Sequence, residues 1–437
     1  MIKWQMNNES ETEQMSDLKQ WTTISSGASL SKIFIGRMIK SREIGKRVRS
    51  ISHHASLMPN TSSASEKPTS YQASPSNTSN AFTQNEKASL ANRFLPNQWT
   101  LITSMDSELF RCLHLPNETF VTLAKDKWLR FYVRKQSEYE LKNTIRLPDK
   151  EGLVTDLTRS TRGDQLAYTA SNAYLYHSYI NQIDHDSNWN VFHTPPLPPV
   201  RGWEAYFSVR YTLDDKYLIV GGAGGYVSII GIDRPSHYSF CAHQNDVKAI
   251  HCSKADPHLF CSGSSDGCCK LWDDRALNNN TPLAISAGNG YSISHIDGDS
   301  YNKYIVTTSI GGTIAVWDLR RFSENLPINV HQKESHEEIP RFNTALKIKG
   351  GNTLEIFWQA KISPERTGHR YIYCGSDSGC VYVFDIVSGQ STYSFRKCYI
   401  GIHDCSWHPT DNEIISVSLR GATARWYYKE KGTSINR

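Results

Sequence analysis

The chain has 437 residues, of which 38% are hydrophobic, and its 48 Lys and Arg against 43 Asp and Glu give a formal net charge of +5. Residues 1–85 contain 10 Lys and Arg and 6 Asp and Glu, which leaves 38 against 37 elsewhere, so the nearly neutral remainder argues against a strongly basic nucleic-acid-binding domain. No run approaches about 18 apolar residues, and the first residues lack the order of a signal peptide, so we expect neither a membrane span nor secretion. The length suffices for one large domain with appendages.

The 10 cysteines contain no pair with the C-x-x-C spacing of a redox or zinc motif. Cys252, Cys261, Cys374 and Cys405 lie inside strand-like runs, where a free thiol packs as a small hydrophobic group. The cysteines are therefore predicted to be reduced core residues, which indicates a reducing compartment, the nucleus and cytoplasm. No metal-ligand spacing is found in the sequence, so no metal site and no cofactor are predicted.

Residues 1–97 form a tail that is rich in Ser, Thr, Asn and Gln. Few aliphatic side chains are available to offset the entropy of ordering, so most of this tail is predicted to be disordered. One amphipathic helix is predicted near residues 29–45, because Leu30, Ile33, Phe34 and Met38 recur at mostly helical spacing and share one face. Such a basic helix docks either on the domain that follows or in a groove of a partner, with membrane-surface binding and nuclear import as weaker alternatives.

The clearest repeat unit in the chain runs from His243 to Arg275. Its short apolar runs, its Ser-Ser-Asp-Gly turn and its terminal Trp-Asp pair predict one blade of a WD-repeat β-propeller. In such a unit we expect Asp266 to hold His243, Ser262 to continue the chain of hydrogen bonds, and the indole of Trp272 to end it. This tetrad satisfies buried polar groups, so we interpret it as structural rather than catalytic.

Six further units repeat this pattern less completely. The positions equivalent to Trp272 are separated by 45, 53, 42, 45, 67 and 42 residues, close to the usual WD-repeat period of roughly 40 to 45 in four cases. The two long intervals are expected to contain insertions, at Asn188–Arg201 and at Ser323–Thr353. Outside the fourth unit the tetrad is incomplete, so these units are expected to depend mainly on strand packing. The seven positions are Tyr132, His177, Ile230, Trp272, Trp317, Phe384 and Trp426.

The chain ends soon after the third strand of its last unit. A strand at Gln98–Thr103 is therefore expected to complete that blade and close the ring, which removes exposed sheet edges. We predict an all-β fold, a seven-bladed WD-repeat β-propeller over residues 98–432, preceded by a largely disordered N-terminal tail and followed by a short disordered end at 433–437.

Two adjacent blades end in the same motif, WDDR at residues 272–275 and WDLR at residues 317–320. Because the segments after third strands lie at one rim of a propeller, Arg275 and Arg320 are expected to project from one face. There each guanidinium either binds a partner loop bidentately or pairs with the aspartate of its own blade.

These residues carry a resemblance to a known family. The two WDxR motifs, the run WDLRRF, the core SGSSDGCCKLWDDR, the late segment DCSWHP and a helix-bearing tail followed by FLPNQW are similar to the WD repeat-containing protein 23 family, also called the cullin-4-associated factor 11 family. The resemblance implies a substrate receptor of a cullin-4 RING ubiquitin ligase, with the tail helix inserted into a pocket of the damaged-DNA-binding adaptor. The implied adaptor contacts are Trp272, Asp273, Arg275, Trp317, Asp318 and Arg320 in the blades, and Leu30, Ile33, Phe34 and Met38 in the helix.

An enzyme is the rival class of function. We find no nucleotide-binding loop, no nucleophile-histidine-acid order with flanking glycines, and no repeated boxes of glycan-cleaving propellers, so no catalytic residues are predicted. We expect a non-catalytic receptor that presents unidentified protein substrates for proteasomal degradation, with no direct contact to nucleic acid or membrane. The alternative is a general WD-repeat scaffold without ligase coupling. The sequence does not identify substrate-binding residues.

Overall fold

The computed structural model describes residues 93–430, except for 149–151, 173, 183–188, 194–204, 235, 288–291, 311, 322–343, 350–356 and 397–400, together with residues 85, 87 and 88. The predicted tail helix with Leu30, Ile33, Phe34 and Met38 lies outside the described residues, as does the predicted short end at 433–437. In the described part of the chain no helix is long and apolar enough to span a membrane.

The described residues form seven four-stranded sheets, which confirms the predicted seven-bladed β-propeller. Strand β1 (Gln98–Ser104) belongs to blade 7. Blade 1 contains β2 (Leu109–Leu115), β3 (Thr119–Ala124), β4 (Trp128–Lys135) and β5 (Glu138–Arg146), and blade 2 contains β6 (Val154–Arg159), β7 (Gln165–Ala170), β8 (Tyr174–Tyr179) and β9 (Asn190–His193). Blade 3 contains β10 (Tyr206–Tyr211), β11 (Tyr217–Gly222), β12 (Tyr226–Gly231) and β13 (His237–Cys241), and blade 4 contains β14 (Val247–Cys252), β15 (Leu259–Ser264), β16 (Cys268–Asp273) and β17 (Ala284–Ala287).

Blade 5 contains β18 (Ile293–Gly298), β19 (Tyr304–Ser309), β20 (Thr313–Asp318) and β21 (Thr344–Lys349), and blade 6 contains β22 (Phe357–Ile362), β23 (Tyr371–Ser376), β24 (Cys380–Asp385) and β25 (Ser391–Arg396). Blade 7 contains β26 (Ile402–Trp407), β27 (Glu413–Ser418) and β28 (Ala422–Tyr427), and β1 is its fourth strand. Short 3₁₀ turns lie at Ile180–Gln182, Ala223–Gly225, Asp274–Asn279, Leu319–Arg321 and Glu365–Thr367. The seven aligned positions from Tyr132 to Trp426 all fall in the third strands of their blades.

Strand β1 closes the ring, as the sequence predicted. It pairs antiparallel with β28, with Gln98 opposite Tyr427 and Trp99 opposite Trp426, and the two indole rings pack with their centroids 6.1 Å apart. The backbone groups of β28 that face outward are thereby paired, so blade 7 has no exposed edge beside this strand. Closure joins the first described strand to the last.

The first and third strands of every blade end at the same side of the ring, which we call the lower face. It carries the turns between first and second strands, such as residues 253–258 and 299–303, and the segments that follow third strands, such as residues 274–279. The backbone N–H of Asp274 donates to the carbonyl of His258 at 3.0 Å, which fixes these two kinds of segment side by side. Because β28 ends at the lower face and β1 runs antiparallel to it, β1 begins there.

Carboxylates on three first strands tie neighbouring blades together. Each is almost fully buried or lies beside the central axis of the ring. Each accepts a hydrogen bond from a backbone N–H on the first strand of the next blade. The acceptor and donor pairs are Asp156 with Val209, Asp297 with Ile362, and Asp404 with Cys112, at 3.2, 2.9 and 3.0 Å. These bonds cross the boundary between blades, which the sheets themselves do not.

The two expected insertions are shorter than the sequence suggested. Each region contains the fourth strand of its blade, β9 within Asn188–Arg201 and β21 within Ser323–Thr353. Both strands pair antiparallel with the third strand, β9 with β8 and β21 with β20. A fourth strand lies at the outer edge of the ring, where polar residues are tolerated, so its sequence resembles that of a loop.

The core lies between the blades and is filled by the large side chains of the second and third strands. Trp272, Trp317 and Trp426 are fully buried. The predicted burial of Cys252, Cys261, Cys374 and Cys405 is confirmed, and each is a free thiol.

The structural tetrad of blade 4 forms one chain of hydrogen bonds. Asp266 Oδ2 lies 2.9 Å from Nδ1 of His243, whose Nε2 lies 2.7 Å from Ser262 Oγ, and the indole N–H of Trp272 donates to that oxygen at 2.7 Å. Burial lowers the pKa of His243 although Asp266 opposes this shift. The neutral imidazole therefore donates from Nδ1 to the carboxylate and accepts the hydroxyl proton of Ser262 at Nε2.

Part of this chain persists in blades that lack the histidine and the aspartate. Trp317 donates its indole N–H to Thr307 Oγ1, and Trp426 donates to Ser416 Oγ, both at 2.8 Å. In blades 4, 5 and 7 the hydroxyl stands ten residues before the tryptophan, because the register pairs the tryptophan with the residue two positions before the hydroxyl, which makes the two side chains diagonal neighbours on one face of the sheet. The same spacing is present in the sequence, where it could have identified the hydroxyl partners in blades 5 and 7.

We predict that Ser262→Ala lowers the free energy of unfolding by about 2–5 kcal/mol, because it leaves both His243 Nε2 and the Trp272 indole N–H buried without their partner. Ser416→Ala is the matched control, since it removes one indole bond in blade 7, and about 1–3 kcal/mol is expected. Denaturant unfolding of both variants measures the two values. Equal losses would contradict the four-residue chain.

We also predict that the propeller loses stability as the pH falls from neutral toward 4. Burial lowers the pKa of His177 to about 4, of His251 to about 3 and of His403 to about 4. Below about pH 6.5 these imidazoles gain protons in the unfolded chain while they stay neutral in the folded one. The unfolded state then binds more protons, so each imidazole decreases the free energy of unfolding by up to about 1.4 kcal/mol per pH unit.

Denaturant midpoints between pH values of about 7 and 4.5 measure this slope. His251→Asn should make the slope smaller, because it removes one of these buried imidazoles. A stability that does not vary over this range would show that the buried imidazoles titrate normally.

Candidate functional site

The two WDxR motifs are built alike. In each, the aspartate at the end of the third strand accepts a hydrogen bond from the backbone N–H of the arginine two residues later, at 3.0 Å for Arg275 and 3.1 Å for Arg320. This side-chain-to-backbone bond turns the chain at the lower face and brings the guanidinium back onto the same carboxylate. The D-x-R spacing is therefore what makes each motif a compact local unit.

Each guanidinium is held bidentately by the aspartate of its own motif. Arg275 donates from Nε and Nη2 to the two carboxylate oxygens of Asp273 at 2.9 and 2.6 Å. Arg320 donates in the same way to Asp318 at 2.8 and 2.7 Å. Of the two alternatives derived from the sequence, the intrablade ion pair is thus the arrangement in this structure.

Both arginines remain accessible despite these ion pairs. The side chain of Arg275 is 59% exposed and that of Arg320 is 45% exposed. Their bonds to aspartate use Nε and Nη2, and Nη1 of neither arginine donates a hydrogen bond to another described residue. A planar guanidinium held on one edge can present its other edge to a second acceptor, which a flexible lysine cannot do equally well.

The surroundings of the two motifs differ. The guanidinium of Arg320 also lies over the ring of Tyr304 at 5.4 Å and donates from Nη2 to its hydroxyl at 3.1 Å. Hydrogen bonds to Asp318 and Asp273 raise the pKa of Arg320 and Arg275 respectively, so both side chains are positively charged at any physiological pH. Arg320 is thus held by two residues, Asp318 and Tyr304, whereas the side chain of Arg275 donates to Asp273.

A groove of about 210 Å³ separates blades 4 and 5 next to these motifs. Its walls are mainly apolar, and Arg320 forms part of its border. The apolar lining includes Leu259, Phe260 and Leu271 from blade 4 and Tyr304, Ile305 and Leu319 from blade 5. The lower face therefore combines two oriented cations with an apolar recess beside Arg320, a combination that suits a protein loop rather than a small polar substrate.

The structure places the predicted blade residues as follows. Trp272 and Trp317 are buried and anchor the two third strands, whereas the Asp273–Arg275 and Asp318–Arg320 pairs lie at the lower face. Among the described residues, no group of three or more His, Cys, Asp or Glu is arranged to hold a metal ion.

Comparison with known proteins gives one match to a family model and several relatives. The model of the WD domain, G-beta repeat, matches residues 235–273. The chain is 26% identical over 378 residues to a Caenorhabditis elegans protein named DDB1- and CUL4-associated factor 11 homolog, covering 80% of this chain and 66% of the relative. The protein of the same name from Caenorhabditis briggsae is 24% identical over 385 residues, covering 81% and 69%.

A third relative is the LEC14B protein of Lithospermum erythrorhizon, which is 29% identical over 241 residues, 51% of each chain. The present chain spans about two thirds of the length of the nematode relatives and about half of the plant relative. These matches confirm the resemblance that the sequence predicted: the chain is a relative of the cullin-4-associated factor 11 family of WD-repeat proteins.

Proposed function

We propose that this protein is a substrate-recognition subunit of a cullin-4 RING ubiquitin ligase. It would bind the damaged-DNA-binding adaptor through the lower face and the tail helix, and present protein substrates for proteasomal degradation in the nucleus and cytoplasm. Support comes from the nematode relatives, whose name associates them with DDB1 and CUL4. The ubiquitin chemistry then belongs to the recruited enzymes, and this chain acts without a catalytic group or cofactor by bringing substrate and ligase together.

The observation that carries the proposal is the pair of WDxR motifs on adjacent blades. Arg275 and Arg320 are exposed at one face, each with its guanidinium oriented by an aspartate. Fixing a long side chain before binding reduces the entropy lost when a partner carboxylate or carbonyl is bound. The apolar groove beside Arg320 offers a recess for a side chain of the same partner.

One observation favours the alternative, a WD-repeat scaffold without ligase coupling. Both guanidiniums already have an ion-pair partner in Asp273 and Asp318, so neither requires a second protein to satisfy its charge. In that case the motifs serve only to end the third strands. The two functions differ in what happens when the arginines are reversed.

We predict that the double variant Arg275→Asp, Arg320→Asp reduces co-purification of the adaptor and cullin-4 from cells by about tenfold or more, since it places carboxylates where the adaptor would meet cations. Exposed ion pairs contribute little to stability, so the thermal midpoint should change only slightly. Arg162→Asp is the matched control, because Arg162 is an exposed arginine of the lower face in another blade. Unchanged recovery of cullin-4 with the double variant would leave the scaffold function.

We predict that deletion of residues 30–49 weakens the same association while the propeller still folds, because the helix is expected to supply a second contact to the adaptor. A second variant, expected to weaken the association in the same way, replaces Leu30, Ile33, Phe34 and Met38 by Ala within the intact tail. Quantitative co-purification of the adaptor compares the three proteins. Recovery equal to that of the wild type in both variants would exclude the helix as an adaptor contact.

A further inference from the structure

The axis of the propeller contains a second candidate site, a polar cavity of about 290 Å³. Residues of all seven blades line it, most of them from the first strands or from the turns that follow them. Lys254, Pro364 and Pro409 belong to those turns, so the cavity extends to the lower face. The WDxR motifs are not among its lining residues.

Positive charges exceed negative charges along this cavity. Its cationic residues are Arg111, Arg159, Arg210, Lys254 and Lys361. Its carboxylates are Asp156, Asp297 and Asp404, so five cations minus three anions leave an excess of two. Burial lowers the pKa of His114 and of His295 well below its usual range, so these two imidazoles are neutral and do not add to that excess.

The carboxylates already have their hydrogen bonds. Asp156 Oδ2 accepts from Arg210 Nη1 at 2.6 Å and from Ser208 Oγ at 2.9 Å, besides the backbone bond to the next blade. Asp404 Oδ1 accepts from Lys361 Nζ at 2.6 Å. Burial raises the pKa of Asp156, but the nearby guanidiniums and hydrogen bonds outweigh it and lower the pKa to about 2. These anions are therefore occupied in holding the blades.

The hydrogen-bonding capacity that remains unused in the cavity belongs mainly to donor groups. Arg111 is the clearest example. Its Nε lies 3.0 Å from Asp156 Oδ1 as an ion pair. Its Nη1, by contrast, is buried and donates no hydrogen bond to any described residue. Buried Nε2 atoms of His114 and His295 are likewise without a partner in the described chain. A buried polar group without a partner costs about 1–3 kcal/mol, so several of them on one cavity indicate a missing ligand or ordered water.

Strained backbone occurs at the same cavity. Gln359 has a φ of 43°, in the left-handed region, at a point where the pairing of β22 with β23 shifts register between Trp358 and Lys361. The residue is 8% exposed, and its Oε1 has no hydrogen-bond partner among the described residues. Strained residues and β-bulges concentrate at binding sites, where they direct a side chain toward a ligand.

We propose that the axial cavity is a binding site for a small free oxyanion, a phosphate or a carboxylate compound, whose oxygens accept hydrogen bonds from the guanidinium of Arg111. The fork of N–H groups on a guanidinium matches the spacing of oxygens in both anions. The imidazoles of His114 and His295 and the amide of Gln359 complete the polar wall. Since none of these residues contacts the WDxR motifs, the site does not depend on the proposed ligase function.

The test uses the full chain at neutral pH, titrated with sodium phosphate, sodium succinate or sodium chloride at matched ionic strength. We expect one of the two oxyanions to raise the thermal midpoint beyond the effect of chloride, because a ligand that binds only the folded state stabilises it. For phosphate, broadening of its phosphorus NMR line reports binding directly. The two salts distinguish a phosphate from a carboxylate ligand.

Arg111→Gln should weaken the binding of that anion at least tenfold, whereas Arg162→Gln, which removes the same charge from the lower face outside the cavity, should leave it unchanged. Should Arg111→Gln not fold, Arg111→Lys, which keeps a positive charge beside Asp156 but lacks the fork, takes its place with a smaller loss expected. The proposal is overturned if neither oxyanion exceeds chloride in the wild type, or if the folded Arg111 variant binds as the wild type does. The cavity would then hold water alone.

Discussion

The architecture depends on hydrogen bonds that cross from one blade to the next at the axis. Apolar packing holds neighbouring sheets together, but strand pairing provides no hydrogen-bonded link from one blade to the next. Asp156, Asp297 and Asp404 supply that link by accepting a backbone N–H from the following first strand. Burying a carboxylate is costly unless cations and hydrogen bonds surround it. The lysines and arginines that line the axial cavity meet this need. The polar lining of the axis therefore follows from how the ring is held together.

The sequence was most informative where one blade could be compared with another. Repeats of the third-strand pattern, four of them at the usual spacing, located all seven third strands, and the missing fourth strand of the last unit indicated the closing strand. The fourth strands β9 and β21 were assigned to insertions, since an edge strand needs no apolar pattern. The axial cavity was not predicted from the sequence. Residues such as Arg111 and His295 are distant in the chain and become neighbours only when the ring closes.

The arginine motifs show how one local pattern permits two functions. The sequence predicted that Arg275 and Arg320 share a face, and the fold places both at the ends of third strands in adjacent blades. The sequence alone could not decide whether each arginine forms an ion pair within its own blade or contacts a partner. The structure contains the ion pair, and it also shows that such a pair does not bury the guanidinium. An aspartate that already orients the arginine reduces the conformational entropy that the side chain loses when it binds a second acceptor. The ion pair within the blade is therefore compatible with recognition of a partner.

The direction of β1 adds a geometric consequence. Because Gln98 pairs with Tyr427 at the lower face, the segment that precedes the propeller is attached on the same side as the WDxR motifs. If a partner bound the arginines and also the tail, the second contact would be intramolecular. Its strength would then be set by an effective concentration, which depends on the length of chain between the tail segment that is bound and β1. The strand that closes the ring would in this way also serve as the anchor of a two-site tether.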